Sequence, residues 1–360
     1  MSIAAHFEIK YHQCINEKGE TVNSLPAVAE DFECLKSIYR IMVLARTFDN
    51  QAIQLQRTGR LGTFAASLGQ EAISAVIGTL MQKEDVLCPY YREYCAQFLR
   101  GVKISEVLNY WGGDERGNNY SINKVDFPIS VPIGSQDLHA AGVAFSFKYR
   151  NLPQVAVGVC GDGATSQGDF YEALNFAGEF QLPVVFVINN NQWAISISRK
   201  DQTAANTLAQ KAIAAGFEGV QVDGNDVIAL YDVFGNALQK ARTGGGPTLI
   251  EAITYRLCDH TTADDANRYR DKEELKLAWE KEPVARLRNY LVSHHQWSKE
   301  EEEKLLEESK STVEKQVAEY LAITPPPPES MFDYLHASLP EALIEQRQTA
   351  IEFAGSEKHA

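Results

Sequence analysis

The chain has 360 residues, 44% of them hydrophobic and 23% charged, with a net charge of −14, a mixture ordinary for a globular protein and long enough to bury one large α/β core or two. The acidic balance argues against a general nucleic-acid surface, which needs a basic face. The lack of any apolar run of about eighteen residues excludes a membrane span, and with no signal or transit pattern at the start a cytoplasmic protein is expected.

Residues 6–15 alternate loosely and lead into the turn signal Asn16-Glu17-Lys18-Gly19, which predicts a short hairpin or an N-terminal arm over residues 1–30. From Glu30 to about Gln56, Leu35, Ile38, Tyr39, Met42, Val43 and Phe48 form the apolar stripe of a long helix. A second helix starts near Gly69-Gln70-Glu71-Ala72, and its small residues Ala72, Ser74, Ala75 and Gly78 permit close packing. Val86-Leu87-Cys88 is a short apolar segment, followed by Pro89-Tyr90-Tyr91-Arg92-Glu93 and helical patterns over 94–100 and 104–110. The loop from Trp111 to about Pro132 is long for a compact domain, a sign of function or mobility. A helix over 134–149 comes next.

Val155 to Cys160 is an apolar run that breaks at Gly161-Asp162-Gly163. A helical pattern runs from about Gln167 to Phe180, with Phe170, Leu174 and Ala177 on one face, and a second apolar run from Val184 to Ile188 ends on Asn189-Asn190-Asn191. Two all-apolar strands around one amphipathic helix predict a βαβ unit of a parallel sheet covered on both faces. Further on, a helix over 208–215, a strand at 220–222, a helix over 227–242 capped by Asp226 and a strand over 248–254 continue the β-α-β order with right-handed crossovers. The expected fold is α/β, a doubly wound, mostly parallel sheet over residues 31–322. The charged tail predicts helices over 271–294 and 300–321, the second with a Ser298/Glu301 capping box. Residues 323–360 then hold a polyproline spacer from Pro325 to Pro328 and a last helix with a frayed end from Gly355 to Lys358. The six cysteines contain no CxxC pair, so reduced thiols are expected.

Both polar clusters of the βαβ unit fall at carboxyl ends of strands, where open α/β sheets bind ligands. Asp162 offers a hard anionic oxygen and Asn191 a neutral amide oxygen. Gly161 and Gly163 permit a sharp turn and a close ligand, and a helix starting there favours a phosphate through its free N–H groups. A carboxylate, an amide oxygen and a backbone carbonyl form an incomplete oxygen shell of the kind that holds Mg²⁺ with phosphate oxygens and water.

This arrangement resembles the thiamine-diphosphate motif. Together with Tyr91-Arg92-Glu93, Val222-Asp223-Gly224-Asn225-Asp226, Tyr255-Arg256, His260-Thr261-Thr262-Ala263-Asp264-Asp265 and Tyr269-Arg270, the chain is similar over roughly residues 30–340 to alpha subunits of the decarboxylating component of 2-oxo acid dehydrogenase complexes. The resemblance implies a thiamine-diphosphate-binding fold, with Mg²⁺ on Asp162, Asn191 and the main-chain carbonyl of Trp193. Gly161, Gly163, Ala164 and Tyr91 would lie beside the cofactor, Arg92 on the diphosphate, and Val131 and Ile133 under the aminopyrimidine. It implies that His260 positions the acyl intermediate and assists proton transfer at the lipoyl sulfur. Arg256, Arg268 and Arg270 are expected to order that loop against Asp264 and Asp265. No second diphosphate arginine is evident in 198–207, and Thr261 stands where animal relatives carry a regulatory serine, so serine-kinase control of that type is not expected.

The implied function is that of a pyruvate-dehydrogenase-type alpha subunit, acting on a small 2-oxo acid with a beta subunit in an α2β2 heterotetramer and passing the acyl group to a lipoyl-bearing acyltransferase core. Branched-chain 2-oxo acids are the alternative substrates, with an acetoin-cleaving relative behind them. A non-catalytic nucleotide or sugar-phosphate module would need only the turn and the helix terminus, without Arg92, Asn191 and His260 together.

Overall fold

The computed structural model describes residues 2–357. Strands β1 (Lys10–His12), β2 (Val86–Cys88), β3 (Ala156–Gly161) and β4 (Val184–Asn190) are followed by a two-stranded ribbon, β5 (Trp193–Ala194) and β6 (Ile197–Ser198), and then by β7 (Glu218–Asp223) and β8 (Thr248–Ile253). Six of them form one parallel sheet in the order β1-β7-β8-β4-β3-β2, and β5 and β6 pair antiparallel on their own. The helices are α1 (Phe32–Arg57), α2 (Glu71–Leu80), α3 (Tyr94–Leu99), α4 (Ile104–Trp111), α5 (Ser135–Tyr149), α6 (Gly168–Glu179), α7 (Arg199–Gln202), α8 (Lys211–Ala214), α9 (Val227–Arg242), α10 (Lys272–Trp279), α11 (Pro283–His295), α12 (Lys299–Leu321) and α13 (Glu341–Glu357).

The two apolar runs read as buried strands are buried along their length, because the pleat sends alternate side chains into two cores. Val185 and Val187 join Val157, Val159 and Ile250 on the face covered by α1, α2, α9 and α11. Val184, Phe186 and Ile188 join Cys160 and Leu249 on the face covered by α5 and α6. Each such side chain contributes about 1.5–3 kcal/mol on burial. The small-residue helix α2 meets α3 closely: a Cβ on Gly78 would lie 2.7 Å from the Ala96 Cα.

Two local expectations are corrected, for the helices at 161–168 and 271–294, and two are narrowed, for the N-terminal arm and the 111–132 loop. The N-terminal alternation belongs to β1, a parallel edge strand on β7, and only Ile15 and Thr21 bridge as a hairpin would. One Asp226 oxygen accepts the N–H groups of Cys14 and Ile15, and the other caps α9 through Ile228 and Ala229. The helix read as starting at the Gly161-Asp162-Gly163 turn is preceded by a 3-10 turn over Asp162–Ser166, so α6 begins only at Gly168. The helix over 271–294 is two helices: Pro283 cannot continue α10, and Glu282 caps α11 through the N–H groups of Val284 and Ala285. The 111–132 loop is held in place, since Arg100 pairs with Asp126 at 2.5 Å and the Tyr120 hydroxyl bonds to Gln97 and to the Ile129 N–H. The Ser298/Glu301 box is present, with reciprocal bonds of 2.9 and 3.1 Å.

Residues up to Val317 form one unit and Ala318 onward another. In the second, an extended proline segment leads to a 3-10 turn over Pro328–Phe332, against which α13 packs. α13 continues through Glu357, and Lys358 of the expected frayed end lies outside the described residues. Among the described residues no helix is long and apolar enough to cross a membrane.

One buried acid is testable by stability. Asp137, on α5, is fully buried with neither carboxyl oxygen hydrogen-bonded, and burial pushes its pKa up to about 7 despite the Cys160 thiol beside it. The folded chain keeps this proton where the unfolded chain has lost it, so stability falls as pH rises from about 4 through about 7. Asp137→Asn is expected to flatten that slope and gain roughly 2–4 kcal/mol at pH 8, measured by urea unfolding across pH.

Candidate active site

β3, β4 and β8 end level with one another, Gly161 lying opposite Asn189 and Asn190 opposite Ile253. The segments leaving them enter one space, a cavity of about 210 Å³. Every residue expected from the sequence to touch the metal, the cofactor or the acyl group lines it except Val131, whose side chain stands 45% exposed on the loop before α5.

Asp162 follows β3 directly and is 1% exposed. Its Oδ2 accepts a 2.5 Å hydrogen bond from Gln202 Nε2 of α7, whose own Oε1 is buried without a partner. Burial raises the Asp162 pKa, offset in part by Gln202, by main-chain N–H groups including that of Asn191, and by Arg256. No ion pair with a side chain reaches this carboxylate among the described residues. Asn191, just past β4, donates from Nδ2 to Gln70 Oε1 at 3.0 Å, and its Oδ1 accepts the Trp193 N–H at 3.2 Å. The Trp193 carbonyl meets only a 3.4 Å approach from Arg256, while its indole N–H donates to the Tyr255 hydroxyl at 3.0 Å. A buried carboxylate without an ion pair, a carboxamide oxygen and a weakly engaged carbonyl fit a hard divalent cation whose other positions a ligand completes. No group of three or more His, Cys, Asp or Glu among the described residues could hold a metal by itself.

The flanking glycines matter for space, not for turning: neither Gly161 (φ −83°) nor Gly163 has positive φ. A Cβ on Gly163 would lie 2.7 Å from the Ala194 Cβ, whereas one on Gly161 meets nothing within 4 Å. Gly163→Ala is expected to cost about 1–3 kcal/mol of stability through overpacking. Gly161→Ala should leave stability near the parent's and weaken diphosphate binding; thermal unfolding with and without the ligand separates the two.

Arg92 is 2% exposed. Its guanidinium donates to the Ala66 carbonyl and, at 2.7 Å, to the His260 carbonyl, and lies 5.1 Å over the Tyr91 ring. His260 Nδ1 sits 3.3 Å from both Arg92 Nη2 and Arg256 Nη1. Two guanidiniums can only donate, so Nδ1 accepts and the ring proton resides on Nε2. Burial first, then Arg92 and Arg256, lower the His260 pKa to about 4 against the opposing pull of Asp264.

The arginines of the following loop behave differently from expectation. Asp264 accepts the His260 N–H at 2.9 Å and the Tyr269 hydroxyl, and Asp265 caps a short 3-10 turn. Arg256 is fully buried and donates to the Ile195 carbonyl and the Tyr269 hydroxyl, both at 2.8 Å, and Arg270 donates to the carbonyls of Arg256 and Cys258. Backbone carbonyls of this loop and of Ile195 take these guanidiniums, and no ion pair between the loop's arginines and Asp264 or Asp265 forms among the described residues.

Gln70, Gln202 and the Tyr90 hydroxyl are polar groups at the site that sequence reading passed over. Gln202 lies in the same 198–207 stretch as Arg199, which donates to the Ala205 carbonyl at 2.9 Å and does not enter the cavity lining.

Residues 39–329 match the family described as "Dehydrogenase E1 component". The chain is 40% identical to a pyruvate dehydrogenase E1 component subunit alpha of Bacillus cereus, over 96% of this chain and 93% of that protein. It is 37% identical to the protein of the same name in Mycoplasma genitalium, over 95% and 96%. A 3-methyl-2-oxobutanoate dehydrogenase subunit alpha of Mycobacterium tuberculosis is 46% identical over 74% and 72%.

Proposed function

The chain belongs to the dehydrogenase E1 component family, and we propose that it is the alpha subunit of a pyruvate dehydrogenase that decarboxylates a 2-oxo acid and passes the acyl group to a lipoyl arm. The observation that carries this reading is the convergence of Asp162, Asn191, the Trp193 carbonyl, Arg92 and His260 on one cavity at the carboxyl edge of the sheet. Thiamine diphosphate, when bound, supplies the carbanion chemistry that releases carbon dioxide.

This chain's part is binding, orientation and exclusion of water. Asp162, Asn191 and the Trp193 carbonyl hold Mg²⁺. Arg92, already buried and charged, offers its guanidinium to the diphosphate. Gly161 gives room for close approach, and Ile133 supports the cofactor's ring. His260, with its proton on Nε2, donates a hydrogen bond toward the reacting acyl group.

Ile133 and Ile195 line the cavity yet are 48% and 56% exposed. We assign this open apolar wall to the beta subunit, in an α2β2 assembly working in the cytoplasm with a lipoyl-bearing acyltransferase core. A second reading, branched-chain 2-oxo acids as substrates, is supported by the similarity to the mycobacterial protein. Reconstitution with the beta subunit and a panel of 2-oxo acids separates the two: pyruvate is expected to show the highest kcat/KM, and preference for 3-methyl-2-oxobutanoate would reverse the assignment.

A further inference from the structure

Beneath Asn191 runs a buried chain of side-chain hydrogen bonds. Asn189 Nδ2 donates to the Tyr90 hydroxyl at 3.0 Å, that hydroxyl donates to Gln70 Oε1 at 3.2 Å, and Asn191 Nδ2 donates to the same Gln70 oxygen at 3.0 Å. Gln70 is 1% exposed, and its Nε2 is buried with no acceptor. The main chain around it is fixed. Thr254 Oγ1 donates to the Gly69 carbonyl at 2.6 Å, the Gln70 N–H donates to the Ser67 carbonyl at 2.8 Å, and Gly69 holds φ +92° where a Cβ would lie 2.4 Å from the Tyr255 carbonyl oxygen.

A carboxamide has an oxygen end and a nitrogen end of nearly the same shape, so only its partners decide which way it faces. For Asn191 both ends are decided. Turned over, its nitrogen would face the Trp193 N–H, donor against donor, and its oxygen would face the acceptor oxygen of Gln70. Gln70 is held in turn, because its oxygen receives two donors while its nitrogen receives nothing.

We propose that Gln70 is a positioning residue: its Oε1 holds the Asn191 carboxamide nitrogen downward, so that oxygen and not N–H₂ is available to a divalent cation in the cavity. This rests on the reading above that Asn191 ligates Mg²⁺. The physical case is that partners behind a metal ligand orient it, and that losing one commonly costs about 10–100-fold in metal affinity.

The test uses the full-length chain in complex with its beta subunit, without substrate, and follows thiamine diphosphate binding by calorimetry as free Mg²⁺ is varied. Gln70→Met keeps the size and removes the acceptor; it is expected to raise the Mg²⁺ needed for half-maximal binding about tenfold. Gln70→Glu restores an acceptor oxygen and is expected to return the requirement to within about threefold of the parent, a rescue that a merely space-filling role would not produce. A parent-like requirement in Gln70→Met, or a Gln70→Glu variant as impaired as Gln70→Met, overturns the proposal. If Gln70→Met does not fold, Tyr90→Phe, which removes the second donor to Gln70, must raise the requirement in the same direction, and no change there also overturns it. A parent that binds thiamine diphosphate without any Mg²⁺ requirement would instead remove the metal reading itself, and this proposal with it.

Discussion

Asp162→Asn is expected to fold at least as stably as the parent without cofactor and to lose the reaction by at least about 10³-fold in kcat/KM, some 4 kcal/mol of transition-state stabilisation. Both halves follow from one observation: the carboxylate is buried, its pKa is raised by desolvation, and hydrogen bonds with a partial offset from Arg256, but no ion pair, answer its charge. An acid whose folded pKa lies above its unfolded value stabilises the fold below the unfolded value, and that contribution is lost as pH rises through the folded one. The variant's advantage without cofactor therefore grows toward alkaline pH. With Mg²⁺ and thiamine diphosphate at a hundred times the dissociation constant, the order reverses, because the parent alone gains the roughly 2.7 kcal/mol of ligand linkage. Thermal unfolding of parent and variant with and without the ligands reads this crossing. Unchanged decarboxylation in the reconstituted variant would end the metal role of Asp162.

For His260→Ala, acyl transfer to lipoamide is expected to fall about 10²–10⁴-fold, with a smaller fall in decarboxylation measured with an artificial electron acceptor. Equal losses in the two assays would place His260 in cofactor binding and not in transfer. With a pKa near 4 in the cofactor-free chain, His260 is neutral at neutral pH and is a poor proton carrier there. Its depressed pKa also means that the stability it contributes is present above about pH 6.5 and is lost as pH falls from there through about 4. An anionic diphosphate on Arg92 offsets one of the two guanidinium charges that hold the pKa down, so binding should move the imidazole back toward its ordinary range. Proton uptake on thiamine diphosphate binding at pH 5–6 is the expected signature, read by calorimetry in buffers of different ionisation enthalpy. It should vanish in His260→Gln.

Local pattern carried the central sheet because its information is local. Val184 to Ile188 is apolar at every position, and only a strand with both faces covered asks for that. The Asp162 and Asn191 positions could be read because each directly follows such a strand. Gln70 could not, since its partner lies 121 residues away and nothing in Gly69-Gln70-Glu71 distinguishes an amide that orients a ligand from one at a helix start. β1 was unreadable for the same reason: its three residues pair with β7 across more than 200 residues of chain. Pro283 is a legible break, because proline cannot continue α10, although the charge pattern runs unbroken across it. In the 256–270 loop the expectation went to charge pairs, whereas open backbone carbonyls claimed the guanidiniums.

That first strand also sets an order of events. Lys10–His12 leave the ribosome before any other part of the sheet, yet their partner Val220–Val222 and the Asp226 oxygen that receives Cys14 and Ile15 are made more than two hundred residues later. Closing so long a loop is slow, so the first strand of the sheet to be made is among the last able to dock. Until it does, the rim of β7 stays open, and a nascent chain stalled before that docking presents an unpaired strand to its neighbours.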